Sequence, residues 1–296
     1  MREIHRKLHP HQAFGDRMKL FNHLLLLTVF IIPLYSRENI YPWLEPDTNV
    51  HFRVKDVPLP DAYERVSYEA GSFQDWLQNL PIKKGKKKVQ LYNGRLKRNQ
   101  RAHAYILDMD IGPEDLQQCA DTVIRLYAEY LFSIRAYSKI AFHFSNGDLV
   151  RYKAWRVGLR PEVKNDIVYW EKKLAADTSY QAFRDYLNMV FLYAGSHSLS
   201  KELKPVVPPE RMEVGDVFIK GGFPGHAMIV VDMAIHKRSG RKIFLLVQGY
   251  MPAQDAHVLR NPKNRELSPW FEVRSMRRLF TPEYNFNWMD LKRFRE

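Results

Sequence analysis

Short apolar segments near the carboxyl end of the chain constrain the fold more than any other feature. A strand is predicted at Gly215–Ile219. After a glycine-rich bend, Gly225–His226 leads into the apolar run Ala227–Met233, and Ile243–Gln248 follows. Runs of four to eight mostly aliphatic residues between glycines and charged turns are typical of buried strands, because helices need more length. An antiparallel sheet is therefore expected, in which one histidine begins a buried strand and one glutamine ends the next.

The part of the chain before this sheet is predicted to be mostly helical, with hairpins. Pro113 is favoured at a first helical position, and the apolar residues that follow it recur at helical spacing: Leu116, Cys119, Ala120, Val123, Ile124, Tyr127 and Leu131. A break near Gln117–Gln118 would instead start this helix close to Cys119, and the pattern leaves both alternatives open. The start matters because the positive end of a helix dipole lowers the pKa of a thiol.

Other local signals complete the outline. Ser72 is a predicted N-cap of a short helix, and Ser179–Ala194 is the clearest long helix. Asn146–Gly147 predicts a tight hairpin turn, and a second hairpin is expected around Asn165–Asp166. Trp288–Phe294 is predicted to be a short closing helix. The expected organisation is an α+β fold in which one domain spans residues 37–296, with a mostly helical lobe at 37–203 and a sheet lobe at 210–296.

The amino-terminal segment has the pattern of an export signal. A charged stretch from Met18 precedes the apolar run Leu24–Ile32, and Pro33–Ser36 follows it. An anchoring helix is the alternative, but the run is short for a bilayer and ends at a proline. Residues 1–36 are thus predicted to be an upstream extension and signal peptide, with either Met1 or Met18 as the start. The mature protein is expected to be periplasmic or secreted, with no membrane span.

The chain is strongly basic, with a formal net charge of +13. This charge favours anionic partners through long-range attraction rather than through a specific site. Its densest cluster is a candidate weak binding surface, although a solvated loop is the simpler interpretation: Lys83, Lys84, Lys86, Lys87 and Lys88. No zinc finger or aromatic RNA-binding motif accompanies the cluster, so no specific nucleic-acid partner is expected.

A single cysteine limits the chemistry of the chain. Cys119 has no partner for an intramolecular disulfide, and a cysteine-rich zinc site is excluded. No cofactor or metal is expected. A thiolate nucleophile needs a base within reach and a third group that orients the base. Cys119, His226 and Gln248 supply these three types of side chain, and the Cys119 amide with Gln117 or Gln118 is the predicted oxyanion hole. A core thiol beside an ordinary strand histidine is the alternative.

The closing third of the chain resembles the papain-like NlpC-type cell-wall peptidases. The resemblance rests on the order of the elements. A helix that carries the cysteine comes first, and it is followed by the blocks Gly215–Phe218, Gly225–Val230 and Phe244–Gln248. The resemblance implies a papain-like fold with a helical lobe followed by an antiparallel, β-barrel-like sheet. It also implies hydrolysis of amide bonds in an envelope polymer or peptide. The context Gln117–Asp121 around the cysteine departs from the usual Asp-Cys-Ser-Gly of those enzymes.

The whole chain resembles an uncharacterised bacterial family, domain of unknown function 4846. Several blocks occur in the same order: Gly71–Phe73 with Trp76–Leu77, Asp115–Asp121, Tyr193–Gly195, Ser198–Leu203, Pro224–Ala227 and Tyr250–Gln254. This resemblance implies no activity by itself.

Two hypotheses follow. In the first, the protein is an exported cysteine hydrolase or transferase that acts on an amide or ester bond in the cell envelope. In the second, a non-catalytic envelope protein uses the same groove to bind an anionic polymer or peptide. The catalytic hypothesis requires His226 and Gln248 to share one face of the sheet. A five-residue hairpin loop that pairs Ile235 with Arg241 would achieve this, whereas a two-residue turn would separate them.

Overall fold

The computed structural model describes residues 40–44, 50–165, 167–274 and 278–295. The predicted signal peptide therefore lies outside the described residues. The helices are α1 (Phe73–Gln78), α2 (Cys119–Ser133), α3 (Tyr152–Arg156), α4 (Tyr180–Tyr193) and α5 (Ser196–Glu202). Among the described residues, no helix is both long and apolar enough to cross a bilayer.

Two strands in the closing third of the chain are the longest, and most of the other strands are short. In chain order they are β1 (Tyr63–Arg65), β2 (His103–Ile106), β3 (Ala141–His143), β4 (Leu149–Arg151), β5 (Leu159–Lys164), β6 (Ile167–Lys172), β7 (Lys204–Pro205), β8 (Val217–Lys220), β9 (His226–His236), β10 (Lys242–Gln248), β11 (His257–Leu259), β12 (Phe271–Glu272), β13 (Leu279–Phe280), β14 (Asn285–Phe286) and β15 (Leu291–Arg293).

Nine of the described strands form the main sheet. Its order is β2-β11-β10-β9-β8-β15-β7, with β1 beside the end of β9 and β12 beside the start of β10. All of these pairings are antiparallel. The path has two free edges, at β2 and β7, so the expected barrel-like closure is wrong for the described residues. Strands β1 and β2 come from the predicted helical lobe, so both parts of the chain build one sheet.

The β9–β10 hairpin forms the centre of the core. His226 through Ala234 of β9 and Ile243 through Gln248 of β10 are buried, as expected for strands covered on both faces. The strands begin in a register that pairs Ile235 with Lys242, not with Arg241 as predicted. A bulge then shifts the pairing by one residue, so that Leu245 pairs with Asp232 and Leu246 pairs with Val230.

Helices α1 and α2 pack against β9. Helix α1 begins as predicted, because the Ser72 hydroxyl accepts a hydrogen bond from the Asp75 N–H at 3.2 Å. Helix α2 begins at Cys119 rather than at Pro113, because residues 113–118 form a turn followed by extended backbone. The alternative start near Gln117–Gln118 is therefore the correct one.

Helix α2 is buried on nearly all sides, and its inner polar residues form an ion network. Arg125 contacts Asp110 at 2.6 Å and Glu129 at 3.2 Å. Tyr180 donates a hydrogen bond to Glu129 at 2.8 Å, and Arg184 reaches Asp110 at 3.2 Å. Since Tyr180 and Arg184 belong to α4, this network fixes α2 between the main sheet and the second long helix.

The remaining predictions have mixed outcomes. The β3–β4 and β5–β6 hairpins are confirmed, and Ser179 caps α4 through a 3.1 Å bond from the Ala182 N–H. The closing helix predicted at Trp288–Phe294 is wrong. A single 3-10 turn at Trp288–Asp290 leads into β15, which pairs with β8 and β7. The pattern of a short apolar segment does not show whether the segment forms a helix or a strand. Here the segment forms a strand because β8 offers an edge with which it can pair.

Candidate active site

Cys119 is the first residue of α2, and the residues around it explain why the helix begins there. Gln118 has extended backbone angles, φ −89° and ψ −151°. Its N–H donates to Oδ2 of Asp121 at 3.1 Å, and its carbonyl accepts the first helical bond from Thr122 at 3.0 Å. Cys119 therefore lies at the positive end of the helix dipole, where backbone N–H groups lack intrahelical acceptors.

The sulphur of Cys119 lies against the start of β9. The backbone N–H of Ala227, the residue after His226, is close enough to this sulphur to lower the pKa of the thiol in part. The thiol is nevertheless protonated at neutral pH, because burial and the Asp121 carboxylate raise its pKa to about 11. The N–H groups of Ala227, Ala120 and Cys119 act in the opposite direction, since they stabilise a thiolate.

His226 is buried, and its imidazole contacts the amide of Gln248. Nε2 of His226 lies 2.9 Å from Oε1 of Gln248. Burial lowers the pKa of His226 to about 4, although the Gln248 hydrogen bond and the Glu283 charge raise it in part. The imidazole is therefore neutral at physiological pH and has one nitrogen available to accept a proton.

Two hydrogen-bond acceptors fix the orientation of the Gln248 amide. Its Nε2 donates to Oε2 of Glu283 at 2.7 Å and lies 3.3 Å from Nε2 of His257. Because Nδ1 of His257 must donate to the Asp255 carbonyl at 2.8 Å, Nε2 of that neutral ring is an acceptor. The Gln248 oxygen thus faces His226, so Nε2 of His226 carries the hydrogen and Nδ1 has the free electron pair.

A buried ion pair supports this arrangement from behind. Nζ of Lys97 lies 2.6 Å from Oε2 of Glu283, and the two side chains are only 6% and 11% exposed. Burial lowers the pKa of Lys97, and the contact with Glu283 opposes that shift. Asn99 donates a further bond to Glu283 at 3.2 Å. Glu283, His257 and Lys97 are not among the residues that the sequence predicts for this site.

Aromatic rings surround the imidazole of His226. The ring centres of Tyr250 and Tyr284 each lie 5.1 Å from it, and Phe286 lies 6.1 Å away at an interplanar angle of 23°. The negative form of Cys119 would raise the pKa of both tyrosines, so their phenols lie near the sulphur as well. These rings restrict water around the imidazole, which strengthens its electrostatic interactions with neighbouring groups.

Glycine is needed where β10 passes the start of α2. A Cβ on Gly249 would lie 2.7 Å from the Gln118 carbonyl oxygen and would overlap the Thr122 hydroxyl. Gly225, beside His226, is similarly crowded, since a Cβ there would lie 2.9 Å from the Lys220 carbonyl oxygen and overlap Ser196. Both glycines let the backbone approach closely enough to bring Cys119, His226 and Gln248 into one region.

The other predicted site residues have different surroundings. Gln117 accepts a 2.6 Å bond from Arg125, and its own Nε2 is buried without a partner among the described atoms. Gln118 donates to Oδ1 of Asp115 at 3.2 Å. The Gln117 oxygen and the Gln118 amide are thus engaged elsewhere, whereas the Nε2 donor of Gln117 is not, and an oxyanion role for either glutamine stays a prediction.

The lysine cluster is mostly an exposed loop. Lys84, Lys86, Lys87 and Lys88 are exposed, whereas Lys83 forms an ion pair with Asp255 at 2.8 Å. Binding by this loop stays a prediction. In the described ranges, no group of three or more His, Cys, Asp or Glu side chains has an arrangement that could hold a metal ion.

The chain was compared with protein families, curated proteins and solved structures. No curated protein and no solved structure matches it. A family model, described as a domain of unknown function (4846), matches residues 54–293 and so includes Cys119, His226 and Gln248. The chain therefore belongs to the family of domain of unknown function 4846.

Proposed function

We propose that this protein is a cysteine hydrolase or transferase of the papain-like type that acts on amide or ester bonds. Cys119 is the nucleophile, His226 the general base and Gln248 the group that orients the base. The observation that carries this proposal is the 2.9 Å contact between Nε2 of His226 and Oε1 of Gln248. It leaves Nδ1 of His226 as the proton acceptor, next to the residue whose N–H faces the Cys119 sulphur.

The pKa values favour a neutral resting pair over a preformed thiolate–imidazolium pair. With the thiol pKa near 11 and the imidazole pKa near 4, proton transfer from sulphur to Nδ1 accompanies attack on the carbonyl carbon. The carbonyl π electrons move to oxygen, where the N–H groups of Cys119 and Ala120 stabilise the charge. The imidazolium then protonates the leaving amine or alcohol, and an acyl group remains on Cys119 until water or another nucleophile accepts it.

The papain-like assignment is supported by the order and location of the three residues. Cys119 begins a helix that packs on an antiparallel sheet, His226 begins the adjacent strand and Gln248 ends the next one. This is the arrangement implied by the resemblance to NlpC-type peptidases. Export to the cell envelope is part of the proposal and rests on the Met18–Ser36 pattern. An envelope polymer or peptide is the proposed substrate, with anionic ones favoured by the net charge.

Acetylation by p-nitrophenyl acetate tests the proposal without knowledge of the natural substrate. Intact-mass spectrometry should detect one acetyl group on Cys119 of the wild-type protein and none on Cys119→Ala. His226→Ala should slow the reaction by about 10²-fold, the lower end for loss of a general base. His236→Ala is the matched control, because His236 lies at the other end of β9. Acetylation at the rate of N-acetylcysteine, with no dependence on His226, would refute the proposal.

A non-catalytic binding protein is the second candidate function. The observation that favours it is the raised pKa of the half-buried Cys119 thiol, since thiols that are rarely ionised are inert. On this alternative, the region around Cys119 would hold an anionic polymer or peptide without reaction. Cys119 would then be acetylated only as the protein unfolds, in parallel with the fraction unfolded in urea. The same mass measurement therefore separates the two functions.

A further inference from the structure

A cleft of about 590 Å³ lies apart from the Cys119 site. Its walls come from the β3–β4 hairpin, the turn before β3, helix α5 and the residues after β15. None of Cys119, His226, Gln248 or the surrounding aromatic residues lines it. The volume falls within the range of small-molecule binding sites. We refer to it as the basic cleft, after its charged lining residues: Lys139, Arg151, Lys201 and Arg295.

The four cations of the basic cleft reach it from separate parts of the sequence. They therefore do not form a charge run, which would be the ordinary cause of a basic surface. In the described part of the chain, none of the four forms an ion pair. Like charges gathered around one cleft without counter-ions repel each other. An anionic ligand would relieve this repulsion.

The single carboxylate in the lining does not neutralise these cations by direct contact. Oε1 of Glu202 accepts the His143 N–H at 2.7 Å and lies 3.2 Å from Nδ1 of the same histidine. Arg295 is close enough for its charge to affect Glu202, but burial has the larger effect and raises the pKa of this carboxyl. Glu202 therefore orients His143 at the wall of the cleft and leaves the cations available to a ligand.

The uncharged lining is suited to a small ligand with a polar head. Phe142 and Phe144 contribute apolar walls, and Tyr127 stacks on Phe294 with ring centres 3.9 Å apart. Ser138, Ser145 and His197 add hydrogen-bonding groups at the same cleft. Arginine presents a planar fork that matches two phosphate oxygens, and lysine adds a point charge. Two arginines and two lysines thus supply the types of donor that two linked phosphoryl groups require.

We propose that the basic cleft binds a small molecule bearing a diphosphate or an equivalent pair of phosphate groups. This inference does not depend on the proposed chemistry at Cys119, because the two sites share no residue. Inorganic pyrophosphate is the probe, since it presents the charged group without an organic part. Binding is measured on the full chain by isothermal titration calorimetry and by thermal unfolding, at constant ionic strength.

Pyrophosphate is expected to bind the wild type and to raise its Tm. Arg151→Gln and Lys201→Gln should each weaken the affinity about tenfold, as for loss of one charge-assisted hydrogen bond. The matched control is Lys86→Gln, which removes an exposed lysine outside the cleft and should leave the affinity unchanged. Cys119→Ala should also bind normally. Circular dichroism confirms that each variant is folded before titration.

Three results would overturn the proposal. Absence of pyrophosphate binding to the folded wild type would refute it directly. An equal loss of affinity in Lys86→Gln would show that the net charge of the chain, and not the cleft, attracts the anion. Equal affinity for citrate at the same ionic strength would show that the cleft selects charge alone and not phosphoryl groups.

Discussion

The Gln248 amide oxygen lies 2.9 Å from Nε2 of His226, across a hairpin that begins in the register that would separate them. Pairing Ile235 with Lys242 would direct the two side chains to opposite faces, because side chains alternate along a strand. The bulge between Leu245 and Leu246 shifts the register by one residue. When the new register is continued to the end of β10, Gln248 lies opposite Met228 and diagonal to His226. One extra residue in β9 therefore brings His226 and Gln248, the proposed base and its proposed orienting group, together.

Replacing Gln248 should slow acetylation of Cys119. Without the amide, Nε2 of His226 loses its acceptor, and the ring no longer has a fixed tautomer and orientation. We expect Gln248→Ala to lower the rate roughly 10–100-fold, which is at or below the lower end of the effect expected for loss of the general base itself. Gln78→Ala is the control, since Gln78 is also buried and hydrogen-bonded but belongs to α1. Equal rates in both variants would contradict an orienting role.

Neutralising Glu283 should reduce both the free energy of unfolding and the rate of Cys119 acetylation. Glu283→Gln leaves Lys97 buried without its counter-ion, and the pKa of Lys97 should fall further because the group that raises it is gone. The loss of unfolding free energy in urea is expected to be about 3 kcal/mol, as for a broken buried pair. Glu162→Gln, which breaks exposed ion pairs, should leave the free energy of unfolding almost unchanged. Adding Lys97→Met to Glu283→Gln should restore part of the stability.

The pH dependence of alkylation distinguishes a neutral pair from an ion pair. Because burial and Asp121 raise the thiol pKa to about 11, the thiolate fraction increases tenfold per pH unit up to that value. The rate of Cys119 reaction with iodoacetamide should therefore rise steadily from pH 7 to pH 10. Asp121→Asn keeps an acceptor for the helix start but removes the charge, so it should raise the rate at pH 9. A plateau below pH 7 would indicate a preformed thiolate–imidazolium pair instead.

A methyl group at Gly249 should disrupt the site through the backbone. Gly249→Ala forces the end of β10 away from the Gln118 carbonyl and the Thr122 hydroxyl, which separates Gln248 from the start of α2. We expect a loss of about 1–3 kcal/mol, typical of overpacking, and a lower acetylation rate. Gly195→Ala is the control, since a Cβ there meets no atom within 4 Å. Normal stability and rate in Gly249→Ala would show that the close approach is not required.

The juxtaposition of His226 and Gln248 could be predicted from sequence because each residue lies at the end of a strongly patterned apolar run. For Cys119 the sequence left two helix starts open, and its role as nucleophile stays a proposal. The bulge was not predictable, because β9 is buried on both faces and its apolar run shows no alternation that a register shift would interrupt. The five-residue loop prediction therefore had the wrong pairing but the correct shared face.

The supporting residues could not be found in the same way. Lys97 and Glu283 are 186 residues apart, and no local pattern links a lysine in a basic stretch to a glutamate in a distant turn. The role of His257 follows only from its contacts with Gln248 and Asp255. Similarly, the strand at Leu291–Arg293 forms because β8 offers a partner edge, which sequence periodicity does not record.

The bulge in β9 makes the number of residues along that strand important for the proposed active site. His226 and Gln248 are 22 positions apart, and one residue between them is absorbed by the bulge. A deletion of one residue from β9 between Ile235 and His226 would remove the bulge and direct His226 to the face opposite Gln248, whereas a deletion in the loop that keeps the Ile235–Lys242 pairing would not. Changes of length are thus expected to be tolerated in the loop and not within β9, because only the count of residues along the strand decides whether His226 meets Gln248.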